Sequence, residues 1–71
     1  MPLVQVKLID KALSTSEKER LISGITDATA AVVGQDIPPH VWVLLEEVPS
    51  GQWGMGGWPI TTEAVAQLRG I

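Results

Sequence analysis

The most reactive group this sequence can present is the nitrogen of Pro2. If Met1 is removed, the chain begins with a secondary amine at the start of a strand. An ordinary α-amine titrates at about 7.7–8.0, and a general base works best with a pKa near ambient pH. An apolar pocket or nearby cations disfavour the ammonium and lower that pKa further. The pyrrolidine ring also fixes the direction of the lone pair. Such a group can act as a general base. With Met1 in place the same nitrogen is a tertiary amide and has no such use. The plainer reading of Pro2 is a small second residue opening a strand.

Other candidates for chemistry are few. Glu46 and Glu47 form a carboxylate pair in sequence, but neighbouring strand residues point to opposite faces, so joint acid–base work is not expected of them. His40, beside Pro39, reads as a loop residue. One histidine and no cysteine leave no disulfide, no thiolate nucleophile and no metal cluster to build. The expectation is a site with no metal.

Composition narrows the class. The five basic residues are scattered and the net charge is −3, so there is no basic stripe for nucleic acid. No apolar run approaches the length of roughly 20 residues that a membrane span requires. The first residues alternate apolar with Gln5 and Lys7 rather than forming a signal peptide, and a soluble, cytoplasmic protein is expected. At 71 residues, 45% of them hydrophobic, the chain reads as one domain, residues 1–71. It is too small to close a large core. Copies of it are expected to cover what one copy leaves exposed.

The elements that must position Pro2 follow from periodicity. Val4, Val6 and Leu8 share one face of a first strand, and Leu3, Gln5, Lys7 and Ile9 share the other. After a turn at Asp10 to Leu13, Ser14 with Glu17, or Ser16 with Glu19, fits a capping box. A helix to about Val33 carries Leu21, Ile22, Ile25, Ala28, Thr29 and Val32 on one face. Gly24 within it suggests close approach to a sheet, and Gly34 suits the helix end. Val41 to Val48 reads as a second strand, apolar on both faces. Strand, helix, strand makes a β-α-β unit with parallel strands and a right-handed crossover. Its helix covers one sheet face and leaves the other, with Trp42 and Leu44, bare. Trp53-Gly54-Met55-Gly56-Gly57-Trp58 suggests a short strand or hairpin on a neighbour's surface. Thr61 or Thr62 then caps a helix from Glu63 to Arg69, and Gly70-Ile71 is expected to fray. The fold class is α+β.

Pro2 opening a strand, a β-α-β unit of this length, the strand end Glu46-Glu47-Val48 and the segment Gly51-Gln52-Trp53-Gly54-Met55-Gly56-Gly57 together resemble the 4-oxalocrotonate tautomerase family. The likeness runs from about Pro2 to Gly57. It implies chains that share sheets in dimers, with three dimers forming a hexamer, homomeric or built from two subunit types. It implies a cofactor-independent isomerase in which the amino-terminal proline moves a proton on an enol or 2-oxo acid.

The resemblance also implies substrate-holding groups. The family places one arginine after the first strand, where this chain has Lys11. It places another second in the second strand, where this chain has Trp42. A dianionic substrate is therefore not expected. Lys11 can hold a carboxylate as a point charge or stand as a solvated turn residue. Trp53 matches the family's aromatic residue near the base, and Trp42 offers apolar surface and an indole N–H. Trp58 reads as interface. Arg69 either reaches a neighbour's pocket or serves as a cation at a helix C-terminus. Two alternatives stand beside the isomerase. One is an inactive partner subunit in a hetero-oligomer, where another chain supplies arginines. The other is water addition or dehalogenation, which wants a water-activating carboxylate that the sequence does not place.

Overall fold

A computed structural model of the chain describes residues 2–70; Met1 and Ile71, on which the questions of amino-terminal processing and carboxy-terminal fraying turn, lie outside the described residues. Strand β1 (Leu3–Ile9) and strand β2 (Trp42–Val48) are joined by helix α1 (Thr15–Val33). The strands pair in parallel from Leu3 opposite Trp42 to Ile9 opposite Val48. This is the expected β-α-β unit.

Alternation decides which residues the unit hides. Val4, Val6, Leu8, Val43 and Leu45 are half-buried on one sheet face. Glu47 lies on that face and reaches Lys18 of α1, so this is the face the helix covers. The opposite face carries the cross-strand pairs Leu3–Trp42, Gln5–Leu44 and Lys7–Glu46 and is exposed. Trp42 is 66% accessible. Glu46 and Glu47 do point to opposite faces, each to its own lysine.

Helix α1 starts at a complete capping box. Ser14 Oγ accepts the Glu17 N–H at 3.2 Å, and Glu17 Oε1 accepts the Ser14 N–H at 2.9 Å. That selects the first of the two possible boxes. The helix ends where the Gly34 N–H bonds the Ala30 carbonyl at 2.9 Å. Leu21, Ile25 and Thr29 are half-buried and Ala30 is buried. Val32, expected on the same face, is 87% exposed. The helix runs about 28 Å at 1.5 Å per residue, against about 23 Å for a seven-residue strand, and so cannot be covered along its whole stripe. Gly24 meets no close neighbour: a Cβ there would find nothing within 4 Å. The expected close approach to the sheet is absent.

A 3-10 turn at Pro38–His40 leads into β2. Beyond it, β3 (Trp53–Met55) and β4 (Trp58–Ile60) form an antiparallel hairpin. Its two-residue turn, Gly56-Gly57, has φ of 60° and 88°, the pair of positive values that such a turn demands and glycine supplies. Thr61 Oγ1 accepts the Ala64 N–H at 3.1 Å and caps α2 (Thr62–Arg69). Thr62 instead ties this tail to the sheet: its Oγ1 donates to the Asp10 carbonyl at 2.6 Å. Gly70 caps α2 in the left-handed conformation.

Among the described residues only Ile9 (5% exposed) and Ala30 (3%) are buried. The radius of gyration is 14.5 Å, against about 11 Å for a compact chain of this length. Neither described helix is long and apolar enough to cross a membrane.

Candidate active site

Pro2 sits at the mouth of β1, half-buried. Its carbonyl accepts the Trp42 N–H at 2.9 Å, which stitches the chain start to the start of β2. Trp42 stands opposite Leu3. Pro2 and Trp42 are therefore neighbours at this end of the sheet. The surface they share is apolar.

The other candidates lie at the far end of β1. Trp53 lines an open, apolar cleft of about 710 Å³ with Lys7, Leu8, Ile9, Leu13, Ile60, Val65 and Arg69 among its walls. From Pro2 to Lys7 the strand advances about 17 Å at roughly 3.3 Å per residue. Within one chain, Pro2 and Trp53 do not meet. Lys11 follows β1 directly at φ 61°, beside the cleft residues Ala12 and Leu13. Its N–H donates to Glu47 Oε2 at 3.3 Å, and its side chain is exposed.

Electrostatics at this far end is organised by ion pairs. The Arg69 guanidinium binds the Glu17 carboxylate and the Ala12 carbonyl. The bond from Arg69, with a further one from the Ser14 N–H, holds the Glu17 carboxyl at about 2, well below its ordinary 4.5. Arg69 thus fastens the end of α2 to the first turn of α1. Glu47 is likewise held at about 2, by a hydrogen bond from Asp10 first and then by Lys18 and the Lys11 N–H. Asp10 is the other half of that pair: its carboxyl is raised above 3.8, chiefly by the hydrogen bond with Glu47. On the bare face Lys7 faces Glu46 at 3.4 Å. Trp58 stands out on the hairpin, 75% exposed. No three His, Cys, Asp or Glu side chains among the described residues are grouped to hold a metal ion.

Sequence reasoning missed the cleft and its fastening. The cleft walls come from four segments, and nothing local marks Leu8, Leu13, Ile60 and Val65 as neighbours. Glu17 carried one signal, its place in the capping box, but its bond to Arg69 spans 52 positions.

Residues 2–63 match the model of a family described as tautomerase enzyme. That match ends just inside α2. "Probable tautomerase RSp0893" of Ralstonia nicotianae is 39% identical over 59 residues, covering 83% of this chain and 81% of that protein. The crystal structure of TomN, a 4-oxalocrotonate tautomerase homologue in the tomaymycin biosynthetic pathway, superposes with a TM-score of 0.75 at 28% identity, over 99% of this chain and 97% of that one. A heterohexamer 4-oxalocrotonate tautomerase from Chloroflexus aurantiacus superposes with a TM-score of 0.71 at 28% identity, over 89% and 95%. With its parallel β-α-β unit and a family match over most of its length, the chain belongs to the tautomerase family.

Proposed function

We propose that this chain is the subunit of an oligomeric, cofactor-independent isomerase that moves a proton on an enol or 2-oxo acid. The Pro2 nitrogen, freed by removal of Met1, is the base. It takes the proton of the enol hydroxyl; the O–H electron pair forms the carbonyl; the C=C pair takes a proton back from the same nitrogen at carbon. Nothing is oxidised or reduced.

One observation carries the reading. Pro2 and the aromatic-lined cleft lie at opposite ends of β1, so a pocket that encloses the amine must come from two copies. Pro2 and Trp42 of one chain then face Trp53, Leu8 and Lys11 of another. The exposed sheet face and hairpin supply the surface for that meeting, and hexameric assembly of the kind named for the Chloroflexus protein fits it. Arg69, engaged with Glu17, serves here as a positioning residue for the cleft. The test is turnover of phenylenolpyruvate and 2-hydroxymuconate by Met1-free protein. Pro2→Ala is expected to lose most activity; unchanged turnover in that variant removes Pro2 from the mechanism.

A second reading is a partner subunit of a hetero-oligomer. The commitment of Arg69 within its own chain favours it, because it leaves no arginine at the cleft to bind substrate. Inactivity of the pure Met1-free chain, relieved only by a second type of chain, would establish it.

A further inference from the structure

Helix α2 lies almost wholly beyond residues 2–63, the part of the chain that the family match covers, yet it builds one side of the cleft. Ala64, Val65 and Leu68 line it. Positions three and four apart lie on one side of a helix, so these residues form a single apolar strip. The strip is covered unevenly. Ala64 and Val65 are half-buried, whereas Leu68 is 86% exposed. The inner end of the strip is seated against the chain, and the outer end stands at the open mouth of the cleft.

The two residues beside Leu68 bear on what covers it. Arg69 is fixed: its guanidinium binds the Ala12 carbonyl and the Glu17 carboxylate, and Glu17 in turn accepts the Ser14 N–H. A guanidinium forked onto two partners holds the last turn of α2 in one place. Gln67 also lines the cleft and is uncommitted: among the described residues its amide has no partner. The two cations on the cleft walls are neutralised, Lys7 by Glu46 and Arg69 by Glu17. The last turn of α2 thus offers an apolar side chain and a neutral hydrogen-bonding group on a fixed backbone. An apolar wall with a few placed polar groups is the makeup of a small-molecule site.

Resting on Pro2 as the base, we infer that α2 is the specificity wall of the site. Leu68 covers the carbon skeleton of the bound substrate, and the Gln67 amide donates to one of its oxygens. Arg69 is a positioning residue that keeps both in place without touching substrate.

The test is steady-state turnover of phenylenolpyruvate by Met1-free protein, with native mass spectrometry on each variant. Leu68 and Gln67 are exposed, so substitutions there keep the fold. Leu68→Ala raises KM about tenfold with little change in kcat, the lower end of what a hydrocarbon contact contributes in a pocket. Gln67→Glu, of nearly the same shape, sets a carboxylate against an anion and raises KM by at least as much. Arg69→Ala raises KM about fivefold, the upper end for a partly exposed ion pair, and Arg69→Lys recovers part of the loss. Because Arg69 acts through its neighbours, Leu68→Ala with Arg69→Ala costs less than the product of the two single effects. The Kd of phenylpyruvate, the keto form, read from tryptophan fluorescence, follows the same order and serves where turnover is slow. KM and Kd unmoved in both Leu68→Ala and Gln67→Glu, or an oligomer that dissociates in Leu68→Ala, overturns the inference while leaving Pro2 as base. Pro2→Ala with unchanged turnover overturns the reading beneath it.

Discussion

The β-α-β unit and the tail that follows it are both rich in apolar residues, and the fold treats them in opposite ways. In the unit, alternation turns Val4, Val6, Leu8, Val43 and Leu45 toward α1, and the helix is sealed by its own capping box. In the tail, Trp53, Met55 and Trp58 sit on a hairpin that lies open to solvent. The tail is fastened at its base by Thr62 to Asp10 and by Arg69 to Glu17. The unit covers one face of its sheet with its own helix; the tail and the bare sheet face hold apolar surface for which one chain has no cover. Burying such surface is favourable by about 25 cal/mol per Å², so this is where association draws its driving force.

The largest test of that contrast strikes the bare face. Leu44→Asp puts a charge between Trp42 and Glu46 without touching the covered side. Native mass spectrometry is expected to show loss of the oligomer, with an association penalty of roughly 3 kcal/mol or more for an unpaired buried charge. Activity disappears with it if the site lies between copies. An intact, active oligomer would mean that this face is not an interface. Next is Ile9→Ala, which opens a cavity at a buried residue where the unit meets the tail. A cost of about 2–5 kcal/mol is expected, read as a lower urea midpoint at fixed protein concentration. A cost well under that range would place Ile9 outside any packed core.

How much of this was legible beforehand depends on the range of the interaction. Ser14 and Glu17 lie three positions apart, and their box could be read directly. The strands announced themselves through a period of two, and the Gly56-Gly57 turn through glycine's tolerance of positive φ. Contacts joining distant segments left no such mark. The bond between Glu17 and Arg69 and the pairing of Asp10 with Glu47 depend on how the tail and the strand ends meet. Val32 fits the helical stripe and is exposed, because a repeat in sequence carries no record of where the sheet stops.

Gly24→Ala is a smaller test and works in the stabilising direction. Glycine inside a helix costs about 1 kcal/mol relative to alanine, and a Cβ at this position meets nothing within 4 Å. A gain of about that size in the urea midpoint is expected. A loss would show that a second copy packs against α1 there, and would extend the unfinished surface from the tail to the outer side of the helix.

The smallest effect concerns the seam between the two regions. Glu17 titrates at about 2 in the folded chain against an ordinary 4.5, so the folded state binds that proton less readily than the unfolded one. Its contribution to stability is fully present above pH 4.5 and is lost as pH falls toward 2. Glu47, also held at about 2, adds a slope of the same sign in the same window. Asp10 opposes it, because its raised carboxyl gives stability that is lost as pH rises. Glu17→Gln therefore lowers the melting temperature at neutral pH, and the two melting curves converge as pH approaches 2. Parallel curves down to that pH would show that Arg69 does not hold Glu17 in solution, and the tail would then be fastened by Thr62 to Asp10 and by Arg69 to the Ala12 carbonyl.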